Sequence, residues 1–352
     1  MLSHTPHRPV LFIDGQEIHS FVQANLNEQV NKSQNLSFTL SDPSLEDMSL
    51  SNKKVELYLN KGDGVPIFRG YIRDIKPSDD DIRLRAQDAS AFLSGDLTPI
   101  VMDEKDNYDG YTLVQFLKEY IDTQINVNET ILSTDTLHEM NRPVYMTGER
   151  GNRNPYKKIQ KQISKQLDDE SSVDRADVNS IFKYFLDVIH LGDVSGLTIR
   201  KTRSLEGAAD FVFTRNDGIV SLSYNERAPP TYAVATTTNE GQKEQIVLKY
   251  GNAPSGTRGL DVSGDVQGES RGELREKMIS HLILAQEEIM EISLEVSRGY
   301  HIGLGNIIRI EVPDSNISGQ YRITGKKIQI SKSRIKCILK CNNEPVTIPD
   351  YL

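Results

Sequence analysis

The seven histidines are the first candidates for metal or acid–base chemistry: His4, His7, His19, His138, His190, His281 and His301. None makes an HxH or HExxH pair, and none stands at ligand spacing from a carboxylate within one element. They read as scattered surface and packing residues. Asp106-Asn107-Tyr108-Asp109-Gly110 has the look of a calcium loop. With Gly110 as the sixth loop position, Lys105 and Phe116 fall at the first and twelfth, where calcium needs carboxylate oxygens. The segment reads instead as a turn into a helix. Asp79-Asp80-Asp81 follows Pro77 between two strands and reads as a solvated turn. Gly303-Leu304-Gly305 lacks a third glycine and leads into a strand, so it cannot set a pyrophosphate on a helix N-terminus. No GxSxG, P-loop or kinase motif occurs. Cys337 and Cys341 lie four apart in a strand, about 13 Å against the ~7 Å limit for a disulfide, which leaves two free thiols. No catalytic, cofactor or metal constellation is expected.

One local asymmetry remains. The chain carries a net charge of −9, yet no acidic residue lies between Asp314 and Glu344. Arg322, Lys326, Lys327, Lys332, Arg334, Lys336 and Lys340 all fall there. Three readings stand: a solvated edge hairpin whose lysines discourage strand addition, contact with an acidic partner, or nucleic-acid contact, for which stacking aromatics are nearly absent. Ile335, Cys337 and Leu339 alternate with Arg334, Lys336 and Lys340, interrupted by Ile338. Ile328 and Ile330 face inward, leaving Lys327 outside, and Lys332 tips the turn. Lys327, Lys332, Arg334 and Lys336 are therefore the candidate partner-contact residues.

The elements that would hold these residues are mostly strands. Val10–Ile13, Leu36–Leu40, Val55–Leu59, Ile67–Asp74 and Ile82–Ala86 show period-two alternation separated by Asp14-Gly15, Asp42-Pro43, Lys61–Gly64 and Pro77–Asp81. Residues 1–100 thus form an antiparallel barrel or sandwich. Leu113, Phe116, Leu117, Tyr120 and Ile121 mark one helix face, with Asp109 or Thr112 as N-cap. A mobile polar loop is expected near 140–176, with a solvated helix around 157–167. Val178, Ile181, Phe182, Phe185, Val188 and Ile189 predict a second amphipathic helix ended by Gly192. Strands return at Leu197–Ile199, Phe211–Phe213 and Ile219–Tyr224, giving a small α+β domain over 101–235. Ala228-Pro229-Pro230 and Thr236-Thr237-Thr238 mark a boundary. Beyond it, 236–352 reads as a second β-domain: a strand at Ile246–Tyr250, a Gly/Ser/Asp loop over 251–268, a helix striped by Leu274, Met278, Leu282, Ala285 and Ile289, and closing hairpins.

Composition agrees. At 352 residues, two or three domains are expected. No run of about 18 apolar residues predicts a membrane span, and Met1–Asp14, with Pro6 and Pro9, lacks the apolar region of a secretory signal. An acidic chain is the opposite of what duplex binding requires.

The ends of the chain resemble a known family. Asp14-Gly15, Leu36–Leu40, Ser41-Asp42-Pro43 and Val55–Leu59 resemble the opening of baseplate hub proteins of contractile phage tails. This is the late control protein D-like family, with the hub half of type VI secretion spike proteins. Phe68-Arg69-Gly70-Tyr71-Ile72, and Ile82–Gln87 ending in Asp88, are similar to the family's returning strand and its polar stop. A helix running into Ile292–Val296, then Leu304-Gly305-Asn306-Ile307-Ile308-Arg309-Ile310, is similar to the family's second barrel. The tract 126–176 matches nothing in the family.

The resemblance implies an α+β, mainly β fold: two tube-like antiparallel β-barrel domains (1–100 and 236–352) with an inserted small α+β domain (101–235). It implies a structural, non-enzymatic homotrimer without cofactors. Three copies would make a pseudo-six-fold ring joining the six-fold tail tube to the three-fold spike. Partners would be the tail tube, spike, baseplate wedge and tape measure proteins, with DNA passing the lumen without specific binding. The place would be the virion tail baseplate, assembled in the host cytoplasm, of a phage or phage-like injection machine. Two other readings stay open: a tail-associated cell-wall hydrolase, and an OB-like nucleic-acid-binding module.

Overall fold

The computed structural model describes residues 8–30, 32–41, 49–60, 62–78, 80–93, 111–126, 130–138, 184–201, 205, 207–216, 218–227, 232–239, 242–249, 259–261, 289–297, 299–313, 317–331 and 334–343. The expected loop at 140–176, the 157–167 helix, the acidic segment 106–110 and the stripe from Leu274 to Ala285 lie outside them. Seven strands open the chain: β1 (Val10–Ile13), β2 (Gln16–Ile18), β3 (Phe21–Gln29), β4 (Lys32–Leu40), β5 (Lys54–Tyr58), β6 (Phe68–Pro77) and β7 (Ile82–Asp88). A 3-10 turn, Ala89–Phe92, follows. Then come α1 (Leu113–Tyr120), β8 (Leu132–Ser133), β9 (Tyr184–Leu191), β10 (Val194–Lys201), β11 (Phe211–Thr214) and β12 (Ile219–Arg227). The rest are β13 (Tyr232–Asn239), β14 (Gln242–Lys249), β15 (Gly259–Asp261), β16 (Ile289–Val296), β17 (Ile307–Glu311), β18 (Gly319–Ser331) and β19 (Ile335–Asn342). The fold is mainly β, as expected. No helix among the described residues is long and apolar enough to cross a membrane.

Compactness divides the chain into two units, one of 1–222, 294–341 and 345–352, the other of 223–293 and 342–344. In the larger unit the strand order runs β2-β1-β5-β6-β7-β4-β3-β18-β19, with β17 on β18 and β11 on β17. Asp14 and Gly15 both take positive φ (53° and 79°), which is the type I′ geometry a two-residue hairpin favours. The decisive pairing is antiparallel β3–β18, from Gly325 opposite Gln29 to Ser331 opposite Gln23. Ile328 meets Leu26 and Ile330 meets Ala24, all buried. One sheet thus contains strands from both ends of the sequence. Residues 211–214, read with the middle region, run parallel to β17.

The first helix forms as its periodicity requires. Leu113, Phe116, Leu117, Tyr120 and Ile121 are buried against Ala89, Leu93, Leu132, Val188 and Leu197. Thr112 is the N-cap: its hydroxyl accepts from Gln115 N (3.1 Å), and Gln115 Oε1 accepts from Thr112 N (2.9 Å).

The second expected helix is corrected. Its described part, Tyr184–Leu191, is strand β9, paired with β10 from Tyr184–Lys201 to Leu191–Val194, and β8 runs parallel to β10. Gly192 (φ +48°) is the first residue of a two-residue hairpin loop, not a helix C-cap. Short apolar runs fit both periods, and pairing with β10 decides between them.

Three further readings change. Thr236–Thr238, taken as a boundary, are inside β13. Residues 259–261, placed in a loop, form β15. Ile289, taken as the end of a helix stripe, starts β16. In the smaller unit β13 pairs antiparallel with β14 and parallel with β15.

Candidate partner interface

The β18–β19 hairpin carries the basic residues. Ser331 closes its end, donating from N and Oγ to the Arg334 carbonyl (2.9 and 3.0 Å). Cys337, Leu339 and Cys341 are buried, and burial raises the Cys337 thiol to about 12, so both cysteines are inert packing groups. Arg334 is exposed, Lys336 and Lys327 are half-buried, and Lys332 lies outside the described residues. Arg334 Nη2 donates to Glu295 Oε1 (2.7 Å) and Lys336 Nζ to Glu295 Oε2 (3.5 Å). A single β16 carboxylate therefore neutralises part of the cluster within the chain.

The basic stretch is also not one face. Lys326 is 8% exposed, and its ammonium pairs with the equally buried Glu28 (3.0 Å) and donates to the carbonyls of Tyr300 (3.3 Å) and Ile302 (3.2 Å). Burial raises the Glu28 pKa and Lys326 opposes the rise. Arg322 is buried as well, and desolvation lowers its guanidinium to about 10. The outward charge is thus smaller than the sequence count.

A second polar cluster, unread in the sequence, joins the β9–β10 hairpin to the sheet. Asp88 caps the 3-10 turn, accepting from Ser90 N (3.0 Å) and Ser90 Oγ (2.6 Å), and from Gln34 N (2.9 Å). Burial pushes its carboxyl up to about 7 against those three hydrogen bonds. The Gln34 side chain donates from Nε2 to the Val188 carbonyl (3.3 Å), and its Oε1 faces His190 Nε2 (3.3 Å). An amide oxygen can only accept, so His190 carries its proton on Nε2. Nδ1 then accepts from Ser195 Oγ (3.0 Å). Arg69 pairs through Nε with Glu56 (2.6 Å) and donates through Nη2 to the Gly192 carbonyl. Burial, and then Arg69, lower His190 to about 4.

A Ser–His contact invites a nucleophilic reading. Ser195 is only 1% exposed, the two ring nitrogens of His190 face Ser195 and Gln34 rather than a carboxylate, and a base this weak cannot activate a hydroxyl at neutral pH. The arrangement positions a hairpin. Among the described residues no group of three or more His, Cys, Asp or Glu could hold a metal.

No protein-family model and no curated protein matches the sequence. Solved structures match it along its length. A tail protein from Neisseria meningitidis MC58 superposes with TM-score 0.63 at 11% identity, over 98% of both chains. The 43 kDa tail protein of prophage MuSo2 from Shewanella oneidensis gives 0.62 at 9% identity, over 97% of this chain and 99% of that one. A component of the type VI secretion system of E. coli, itself similar in structure to T4 bacteriophage tail proteins, gives 0.53 at 12%, over 96% and 77%. The likeness is one of fold, and the fold is that of phage tail proteins.

Proposed function

We propose that a chain with this tail-protein fold is a structural baseplate subunit, a homotrimeric hub that adapts a six-fold tail tube to a three-fold spike. The observation that carries the reading is the end-to-end likeness to two tail proteins, over at least 97% of each chain. The β3–β18 pairing supports it, because it joins a strand near the start of the chain to one near its end in a single sheet. In this reading 101–235 is an insertion that returns a strand, β11, to the same sheet beside β17. In this reading the chain's role is structural rather than catalytic.

The partners in this proposal are the tail tube, spike, baseplate wedge and tape measure proteins, within a virion tail assembled in the host cytoplasm. DNA passes the lumen unbound, and a net charge of −9 suits a conduit that must not retain it. Lys327, Lys332, Arg334 and Lys336 meet an acidic neighbour. Light scattering of the purified chain, alone and with the spike protein, tests the assembly state. A three-subunit mass is expected in at least one condition. A dimer in both, or cell-wall lysis in a zymogram, contradicts the proposal.

A further inference from the structure

The outward face of the large sheet has a composition that the net charge of the chain conceals. Registers across β6, β7, β4, β3 and β18 set its side chains in three cross-strand rows. The first is Tyr71, Gln87, Asn35, Asn27 and Lys327. The second is Asp74, Arg85, Ser37, Asn25 and Gln329. The third is Lys76, Arg83, Thr39, Gln23 and Ser331. Alternation sends the residues between the rows, such as Ile72, Ala86, Leu36, Leu26 and Ile328, into the core. The fifteen outward residues hold four cations, one carboxylate and no aliphatic side chain, a net +3 in a chain of net −9, which leaves −12 elsewhere. We propose that this face is a contact surface for the phosphate backbone of duplex DNA, engaged without regard to sequence.

The chemistry selects the occupant. A protein neighbour needs an apolar centre, and the rows offer only Tyr71, at one side. Holding unpaired bases needs stacking rings along a groove, and the other positions supply none. What remains are amides and hydroxyls with Lys and Arg, the groups that contact phosphate and sugar. The amides are held in place across the strands. Gln329 Nε2 donates to Asn25 Oδ1 (3.2 Å), and Gln23 Nε2 to Thr39 Oγ1 (3.4 Å). Asn35 Oδ1 accepts from Arg85 Nη2 (2.9 Å) and Gln87 Nε2 (3.3 Å). Five strands spaced ~4.8 Å apart present about 19 Å of this surface.

The cations are available to such a ligand. The Arg83 and Arg85 side chains are 71% and 50% exposed, and their carboxylate partners, Asp81 and Asp74, stand off at 3.7 and 3.8 Å. Exposed pairs this loose contribute little, so a phosphate can replace them. Lys76 is exposed as well. The negative charge carried elsewhere repels DNA, so the contact is weak and transient, in keeping with a duplex that passes without being retained. The inference rests on the proposed function only for bringing DNA to this chain.

Fluorescence anisotropy of a labelled DNA duplex with the full chain, between about 50 and 150 mM salt, reads this directly. Three to four neutralised phosphates give a slope of log K against log salt of about −3, and an affinity loss of roughly 20- to 50-fold over that range. Replacing Lys76, Arg83 and Arg85 together by Gln should flatten the slope to about −1. Two duplexes of unrelated sequence should bind alike. No binding at the lower salt, a clear sequence preference, or a triple variant with the parent's slope overturns the proposal. Poly-glutamate that competes as well as duplex of equal charge also overturns it, by making the face a site for an acidic protein. If the triple variant does not fold, the exposed Arg83→Gln alone decides. A slope shallower by about 0.9 supports the contact, and an unchanged slope refutes it. Subunit mass does not enter these readouts, so this inference and the trimeric hub can fail separately.

Discussion

Removing the Lys326 ammonium would leave Glu28 as a buried, unpaired carboxylate beside Asp187. Lys326→Met should therefore cost about 3–5 kcal/mol in urea unfolding, and the double change Glu28→Gln, Lys326→Met should recover most of it. A loss below ~1 kcal/mol for the single change would show the pair to be solvated. Asp88 gives a pH test. Its carboxyl is raised to about 7, so its contribution to stability is fully present below the unfolded value and is lost as pH rises through 7. Stability of the parent relative to Asp88→Asn should decline from pH 4 to pH 7, by at most about 1.4 kcal/mol per pH unit. A flat difference would contradict the assignment. At this scale the sequence held more than its charge count suggests. Once Ile328 and Ile330 are placed inward, period two puts Lys326 inward with them, and only Lys327 outside. The Gln34–His190 contact had no such signal, because the two residues lie 156 positions apart and meet through tertiary structure.

Elements were legible where alternation was strong and obscure where it was not. Leu36–Leu40, Val55–Leu57 and Ile82–Ala86 formed the strands their patterns require. β3 went unread because Phe21–Gln29 is rich in Asn, Gln and Glu, and its Ala24, Leu26 and Glu28 are buried only by pairing with β4 and β18. β9 read as a helix because its apolar run fits both periods, and its strand form comes from the pairing with β10 rather than from local periodicity. The short motifs of the terminal resemblance have a structural reason. Gly70 and Asp88 are direct partners across β6 and β7. A Cβ on Gly70 would lie 2.2 Å from the Gln87 carbonyl oxygen and 2.6 Å from the Phe68 ring. Gly70→Ala should destabilise by about 1–3 kcal/mol, with backbone displacement at β7. Thermal unfolding that leaves the midpoint unmoved would refute the close approach.

For the whole molecule, the fold joins both ends of the chain in one sheet, and the sequence carried that only as a resemblance, since β3 and β18 are about 300 residues apart. In the proposed assembly the basic hairpin acts through several charges together across an interface. Replacing Lys327, Lys332, Arg334 and Lys336 together by Gln removes the pairs with Glu295. Exposed pairs contribute only ~0–1 kcal/mol each, so folding should survive while joining to tube or spike is lost. Complete particles built from that variant would reduce the patch to a solvated edge. The central claim is tested most directly by electron cryomicroscopy of the assembled tail carrying this chain. The account predicts three copies in a pseudo-six-fold ring between the tube and the spike. Six copies, or a particle complete without the chain, would contradict it.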